Sequence, residues 1–286
     1  MSTKTGKTAL VVEGGGMRGI FAAGILHAFG REKFDPFDLY IGVSAGACHL
    51  ASHLAGQNDR NFDITLRYSL TSRFINPWRF LRGGHLMDLD WMWEQTITNY
   101  RLNLKYLFDN LRAKDKEYFV VATSMETGEA LYLKPDEKTL EDYLKISSSI
   151  PIFYRNILEV AGEPATDGGM ADSIPVRRAY DLGANNIVVL RTRPSDYVKK
   201  QSRLTFIFSL YFRKYPRLVE KFKLRAQNYM ESVNFIHQPP DGANIIELAP
   251  PNNSGVSRIT QNQAALRANY EAGIEYGYKF MKSYQA

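Results

Sequence analysis

Cysteine occurs once, at Cys48, so no internal disulfide can form. The five histidines are scattered, and no Cys/His cluster has metal-ligand spacing, so no metal site is expected. A chain without disulfide or metal staples reads as one suited to a reducing compartment, the cytoplasm. Long hydrophobic runs are missing as well. The strongest apolar stretch, Leu204 to Phe212 (LTFIFSLYF), is about half of the ~20 residues that a membrane-spanning helix needs. Met1 to Lys7 carries two lysines but is followed only by the short apolar run Thr8 to Val12, too brief for the core of a secretory signal. The expectation is a cytoplasmic protein, at most peripheral to the inner face of the membrane.

What is present is a globular composition: 286 residues, 44% hydrophobic and 23% charged. A chain of this length and type can form one α/β domain with ample core. Its net charge of +6 favours anionic partners: phospholipid headgroups, acidic metabolites or nucleic acid. Charge alone does not choose among them.

Thr8 to Val12 is an apolar run that ends in Gly14-Gly15-Gly16, after which Ile20, Phe21, Ala23, Ile25, Ala28 and Phe29 fall at near-helical spacing. Leu39 to Val43 repeats the pattern, meeting Gly42-Val43-Ser44-Ala45-Gly46 before a stretch rich in Ala and Leu that closes near Gly56. Two strand-turn-helix units in succession predict a parallel sheet. Residues 61–110 mix aromatic and basic side chains around Gly83-Gly84 and read as a helical insertion over a site. Glu117 to Thr123 and Ala130 to Leu133 read as a strand pair about a glycine turn. Leu140 to Ile150 reads as a helix stopped by Pro151, Asn185 to Leu190 and Asn244 to Leu248 as strands, and Ile259 to Tyr284 as a closing helix interrupted only by Gly273 and Gly277.

Chemistry concentrates at three glycine-rich places. Gly42 to Gly46 is a G-x-S-x-G motif between a strand and a helix, where a sharp turn projects the Ser44 hydroxyl and the helix N-terminus favours developing negative charge. Gly14-Gly15-Gly16-Met17-Arg18-Gly19 satisfies the dinucleotide pattern G-x-G-x-x-G. That reading wants an acid at the end of the second strand. Asp35 and Asp38 precede that strand, and its end carries Ser44 instead. The same backbone N–H groups serve equally as an oxyanion hole. A serine nucleophile needs a base, yet His27, His49 and His53 fall on helices, and His237 sits in an unremarkable loop entry. Asp167, in Thr166-Asp167-Gly168-Gly169, is the better candidate, although Asp-Gly is also a common turn.

Together these pieces resemble the patatin-like phospholipase family, in the family's order and over most of the chain. Gly14 to Gly19 is similar to its oxyanion motif, Gly42 to Gly46 to its nucleophile elbow, and Asp167-Gly168-Gly169 to its D-G-G/A motif. Val121 to Glu129, Ser147 to Pro151 and Asp167 to Pro175 are similar to its connecting segments. The resemblance implies a three-layer α/β/α fold with a mainly parallel central sheet, in a domain spanning 8–284. It implies a lipid acyl hydrolase without a cofactor, using a Ser44–Asp167 dyad. Gly14, Gly15, Gly16, Arg18 and Gly19 would form the oxyanion loop, with phospholipid or another lipid ester as substrate and no nucleic acid. Arg18 would brace the loop or add positive charge, or simply face solvent at a helix start.

A basic aromatic helical region is expected at about 199–233. Lys199 to Arg225 alone holds nine Lys/Arg against one acid, Glu220. Such a helix can rest on an anionic membrane or pack on the core with a solvated face. Two rivals remain from the sequence: a nucleotide-binding oxidoreductase using the glycine loop, and a non-catalytic lipid-binding protein of the same fold.

Overall fold

A computed structural model describes residues 6–252 and 254–285. The chain begins β1 (Lys7–Val12), α1 (Ile20–Arg31), β2 (Leu39–Val43) and α2 (Ala45–Leu54). The helical stretch follows as α3 (Arg60–Ile64), which runs into a π-helical turn over Thr65–Ser69, then α4 (Pro77–Leu81), α5 (Leu89–Asn99) and α6 (Leu104–Ala113). Next come β3 (Glu117–Ser124), β4 (Ala130–Leu133), α7 (Leu140–Ser147), β5 (Leu158–Val160), β6 (Glu163–Asp167), α8 (Val176–Asp181) and β7 (Ala184–Leu190). The chain closes with α9 (Thr205–Tyr211), α10 (Pro216–His237), β8 (Asn244–Leu248) and α11 (Gln263–Gln285).

One sheet runs β5-β6-β3-β2-β1-β7-β8, with β4 also on β3. From β3 through β8 every neighbour along that path is parallel, while β4, β5 and β6 join antiparallel at the β3 end. The parallel strands read as continuous apolar runs because both of their faces are covered. Side chains alternate between faces. Leu10, Val12, Tyr40, Val120 and Leu190 pack with α1 and α2 residues such as Phe21, Ile25 and Leu50. Val11, Ile41, Val43, Val121 and Val189 pack on the other side with Ala179 of α8 and Val233 and Ile236 of α10. The result is a three-layer α/β/α arrangement about a mostly parallel sheet, as the resemblance implied.

Several boundaries differ from the sequence reading. The β5–β6 hairpin lies in a stretch to which the sequence reading assigned no element. The α7 helix stops at Ser147 rather than Ile150, because Ser149 N–H turns back to Ile146 O and the Ser149 hydroxyl donates to the same carbonyl. The α11 helix starts at Gln263 rather than Ile259, since Ser257 and Thr260 close a turn on each other first. Residues 199–204 are not helical, so the basic region is the shorter pair α9 and α10. The two glycines of α11 act as contact points. A Cβ on Gly273 would collide with the carbonyl of Phe21 and one on Gly277 with Ala28, so these glycines let α11 lie close against α1.

Candidate active site

Parallel pairing of Val12 with Gly42 puts the glycine loop and Ser44 side by side at the C-terminal ends of β1 and β2. Pairing of Val43 with Val121, and of Ala122 with Asp167, brings the end of β6 to the same edge of the sheet. Three separate motifs therefore converge where open α/β sheets carry their sites.

Ser44 has φ 54° and ψ −126°, a conformation that a non-glycine residue adopts only when its surroundings impose it. Two features impose it here. Ser44 N–H donates to Ser147 Oγ at 2.7 Å, and Ser147 Oγ donates in turn to Val121 O at 2.6 Å, tying the elbow to β3. Gly46 lies against the end of β1, where a Cβ would come within 2.5 Å of Val12 O.

The Ser44 hydroxyl adjoins the Asp167 carboxyl, whose Oδ1 accepts Gly169 N–H at 2.8 Å. Thr123 Oγ1 donates to Asp167 O at 2.9 Å, and Asp167 N–H to Ser149 O at 3.3 Å, fixing the backbone on both sides. Asp167 is buried, and burial raises its pKa. The neighbouring Ser44 hydroxyl, then Arg258 and Arg225, then Gly169 N–H pull it back down. A carboxyl whose pKa is raised is, once ionised, a stronger base than an ordinary aspartate.

In the glycine loop, Gly14 N–H donates to Ser173 O and Met17 N–H to Arg258 O. Among the described residues, the N–H groups of Gly15 and Gly16 have no protein acceptor. They open a 3-10 turn over Gly16–Gly19 that leads into α1, so free donors and a helix start coincide beside Ser44. Arg18 is buried rather than solvent-facing, and its Nε has no hydrogen-bond partner. Gly19 packs under His49, where a Cβ would sit 2.7 Å from Nε2. Gly168 backs onto Val121, and Gly42 onto the start of α2.

The loop is anchored by a residue that the motifs do not include. Glu13, at the end of β1, accepts Arg191 Nε at 3.1 Å, Thr192 N–H at 2.7 Å and Tyr229 OH at 2.8 Å, all buried. Arg191 also pairs with Glu247. An acid directly after a buried strand was the only local sign of this network.

A pocket of about 150 Å³ opens above Ser44. Ile64, Phe74, Met87, Leu89 and Met92 supply much of its apolar wall, so the helices between α2 and β3 form one side of it. Cys48 lines it too, half-buried, with Sγ 3.7 Å from Ser148 Oγ. No histidine takes up the role of base. Burial, then Arg60, lowers His49 to about 4; His27 meets Tyr270 and Asp59, and His237, the last residue of α10 rather than a loop residue, meets Glu247. Asp35 pairs with Lys116 at 2.6 Å and Asp38 accepts Thr8 N–H at 2.8 Å, both before β2, so neither stands where a ribose ligand belongs. Among the described residues no group of three or more His, Cys, Asp or Glu could hold a metal ion.

The chain has relatives among known proteins. Residues 10–180 match a family model described as patatin-like phospholipase, and residues 215–286 match a domain of unknown function, DUF6363. The chain is 35% identical over 285 residues to the uncharacterized protein YjjU of Escherichia coli strain K12, covering 96% of this chain and 77% of that protein. It is 24% identical to lysophospholipase NTE1 of Eremothecium gossypii and 23% identical to that of Saccharomyces cerevisiae. Those alignments take in 95% and 96% of this chain but only 18% and 16% of the two longer proteins.

Proposed function

The chain belongs to the patatin-like phospholipase family, and from that premise we propose that it is a lipid acyl hydrolase working through a Ser44–Asp167 dyad. The observation that carries the reading is the strained Ser44 with its hydroxyl next to the buried Asp167 carboxyl and, among the described residues, the unpartnered N–H groups of Gly15 and Gly16 alongside.

In this mechanism Asp167 takes the proton of Ser44 as Oγ attacks the ester carbonyl carbon. The carbonyl oxygen becomes an oxyanion received by Gly15 and Gly16 N–H. Collapse of the tetrahedral intermediate breaks the ester C–O bond, and the departing alcohol takes the proton held by Asp167. Water then attacks the acyl-Ser44 ester with Asp167 again accepting a proton, which returns to Ser44 Oγ as the fatty acid leaves. Aspartate is a weaker base than histidine, so orientation and the oxyanion donors carry much of the rate.

The apolar pocket suits an acyl chain. Access to lipid is supported by α9, where Phe206, Ile207, Leu210 and Tyr211 are exposed while Phe208 packs inward on Phe222. Exposed Lys200, Arg203, Arg213 and Lys214 flank that patch, an arrangement suited to lying on an anionic membrane surface. No helix of the described residues is long and apolar enough to cross a membrane.

The test compares wild type, Ser44→Ala and Asp167→Asn, each checked for folding by circular dichroism, on short p-nitrophenyl esters and phospholipid vesicles. Cleavage by wild type with near-complete loss in both variants is expected, together with fluorophosphonate labelling of Ser44. Folded wild type that neither cleaves nor labels would overturn the reading and favour a lipid-binding role.

A further inference from the structure

Five cations gather around the dyad and the glycine loop. Arg18 stands on the 3-10 turn behind the loop, Arg193 and Lys199 follow β7, Arg225 comes from α10 and Arg258 from the segment before α11. Among the described residues, none of the five forms an ion pair. Arg18 is only 9% exposed and its Nε has no hydrogen-bond partner. Arg225 Nε donates to Gly169 O at 2.5 Å, and Arg258 lies against Gly16 and lines the pocket with Ser44.

These groups act on one another. Burial, followed by Arg193 and Arg258, brings Arg18 down to about 10. Burial, followed by Arg258, does the same to Arg225. Burial lowers Lys199 strongly, with Arg225, Arg258 and Arg18 adding to it. Glu13, the carboxylate that acts on both Arg18 and Lys199, is already spent on Arg191, Thr192 and Tyr229. Desolvated like charges destabilise a fold unless an anion joins them, and guanidinium forks match phosphate oxygens two at a time.

The neighbouring aromatic faces narrow the choice of anion. Arg193 covers the Tyr197 ring with its Cζ 4.3 Å from the centroid, and Lys199 Nζ lies 4.2 Å from that of Tyr229. Ring faces that would hold a quaternary ammonium are thus taken by this protein's own cations. We propose that Arg18, Arg193, Lys199, Arg225 and Arg258 form a phosphomonoester subsite, and that the lipid cleaved at Ser44 carries a terminal, dianionic phosphate rather than a zwitterionic headgroup. The substrate half of this inference rests on the hydrolase reading above. It also gives residues 215–286, whose match is a domain of unknown function, a part in the site, since they supply Arg225 and Arg258.

Two measurements on the full chain test the subsite. In the first, Ser44→Ala is titrated calorimetrically with glycerol 3-phosphate, inorganic phosphate and glycerophosphocholine. Saturable binding of glycerol 3-phosphate, at least tenfold weaker binding of glycerophosphocholine, and a tenfold loss on adding Lys199→Gln are expected. In the second, wild type is given three lysolipids of one acyl chain, ending in phosphate, phosphocholine or a free hydroxyl. A kcat/KM at least tenfold higher for the terminal phosphate is expected, largely abolished in Lys199→Gln and restored in Lys199→Arg. Because the readout is a ratio between substrates, partial unfolding of a variant cancels. Equal kcat/KM for all three lipids, or a preference untouched by both Lys199→Gln and Arg193→Gln, overturns the proposal. Inorganic phosphate binding as tightly as glycerol 3-phosphate, without any preference among lipids, would assign the cluster to the free ion and overturn the headgroup role. Glycerol 3-phosphate binding without cleavage of any ester would leave the anion subsite standing and sink the hydrolase reading. Ester cleavage without phosphate binding would do the reverse.

Discussion

Arg225 Nε, reaching across from α10, meets the carbonyl oxygen of Gly169 two residues beyond Asp167. The contact sets a positive charge close to a carboxyl whose pKa burial raises and whose neighbours lower it again. Asp167 must be ionised to accept the proton of Ser44, so activity should rise with pH along a limb lying above the ordinary aspartate value of 3.8. Removing a nearby cation favours the neutral acid. Arg225→Gln should therefore shift that limb to higher pH and depress kcat/KM most at the acid end. A profile of kcat/KM on a soluble ester from about pH 4 to about pH 8 reads this directly. A limb that stays in place would mean that Arg225 does not act on Asp167.

Ser147 holds the elbow without touching substrate. Its hydroxyl accepts Ser44 N–H and donates to Val121 O, and it is fully buried. Ser147→Ala leaves both backbone groups without that partner, at a cost of about 1 to 3 kcal/mol in stability. It also frees the strained Ser44 backbone to relax, so the serine should lose alignment with Asp167. The expected outcome is a fall of about tenfold in kcat with little change in KM, the signature of an interaction made only in the transition state. A change in KM alone would place Ser147 in substrate binding instead.

The sequence made legible the elements whose physics is local. Apolar runs gave β1, β2, β3 and β7, because strands buried on both faces carry little else. Glycine motifs at the ends of β1 and β2 marked their loops, since only backbone conformation and close approach were needed there. The β6 strand was not legible: Glu163-Pro164-Ala165-Thr166-Asp167 looks like a turn, and it becomes a strand through β3 and through Met125 N–H bonding to Pro164 O. Ser147, Lys199 and Arg225 fell in stretches that the sequence marked, and Glu13 stood as an acid after a buried strand, but the contacts of these residues and of Arg193 and Arg258 were not legible, since their partners lie far away in sequence. The Ser44–Ser147 bond spans 103 positions and the Glu13–Arg191 pair 178. Gly273 and Gly277 read as interruptions, yet they are what allows α11 to approach α1.

Glu13 and Arg191 supply a stability test independent of catalysis. Arg191 is wholly buried and Glu13 nearly so. Removing one partner of such a pair leaves an uncompensated buried charge and costs about 3 to 5 kcal/mol. Glu247 keeps a second contact with Arg191, which places Glu13→Ala toward the lower end of that range. Urea unfolding should show the midpoint falling while the slope is preserved, because the surface exposed on unfolding hardly changes. An unchanged midpoint would mean that Glu247 and Tyr229 alone compensate Arg191.

The exposed face of α9 predicts a difference between soluble and membrane substrates. Phe206 and Leu210 are 79% and 62% exposed and do not line the pocket at Ser44. Withdrawing one such side chain from water into lipid is worth about 1.5 kcal/mol or more, roughly tenfold in partitioning for each residue. The double variant Phe206→Ser, Leu210→Ser should cleave a soluble p-nitrophenyl ester like wild type and lose at least tenfold on anionic vesicles. Salt should weaken vesicle cleavage while leaving the soluble ester reaction nearly constant, because the cations around α9 are exposed and screened within about 10 Å at 0.1 M ionic strength. Equal activity of wild type and double variant on sedimented vesicles would show that α9 does not reach the bilayer, and its apolar face would then need another partner.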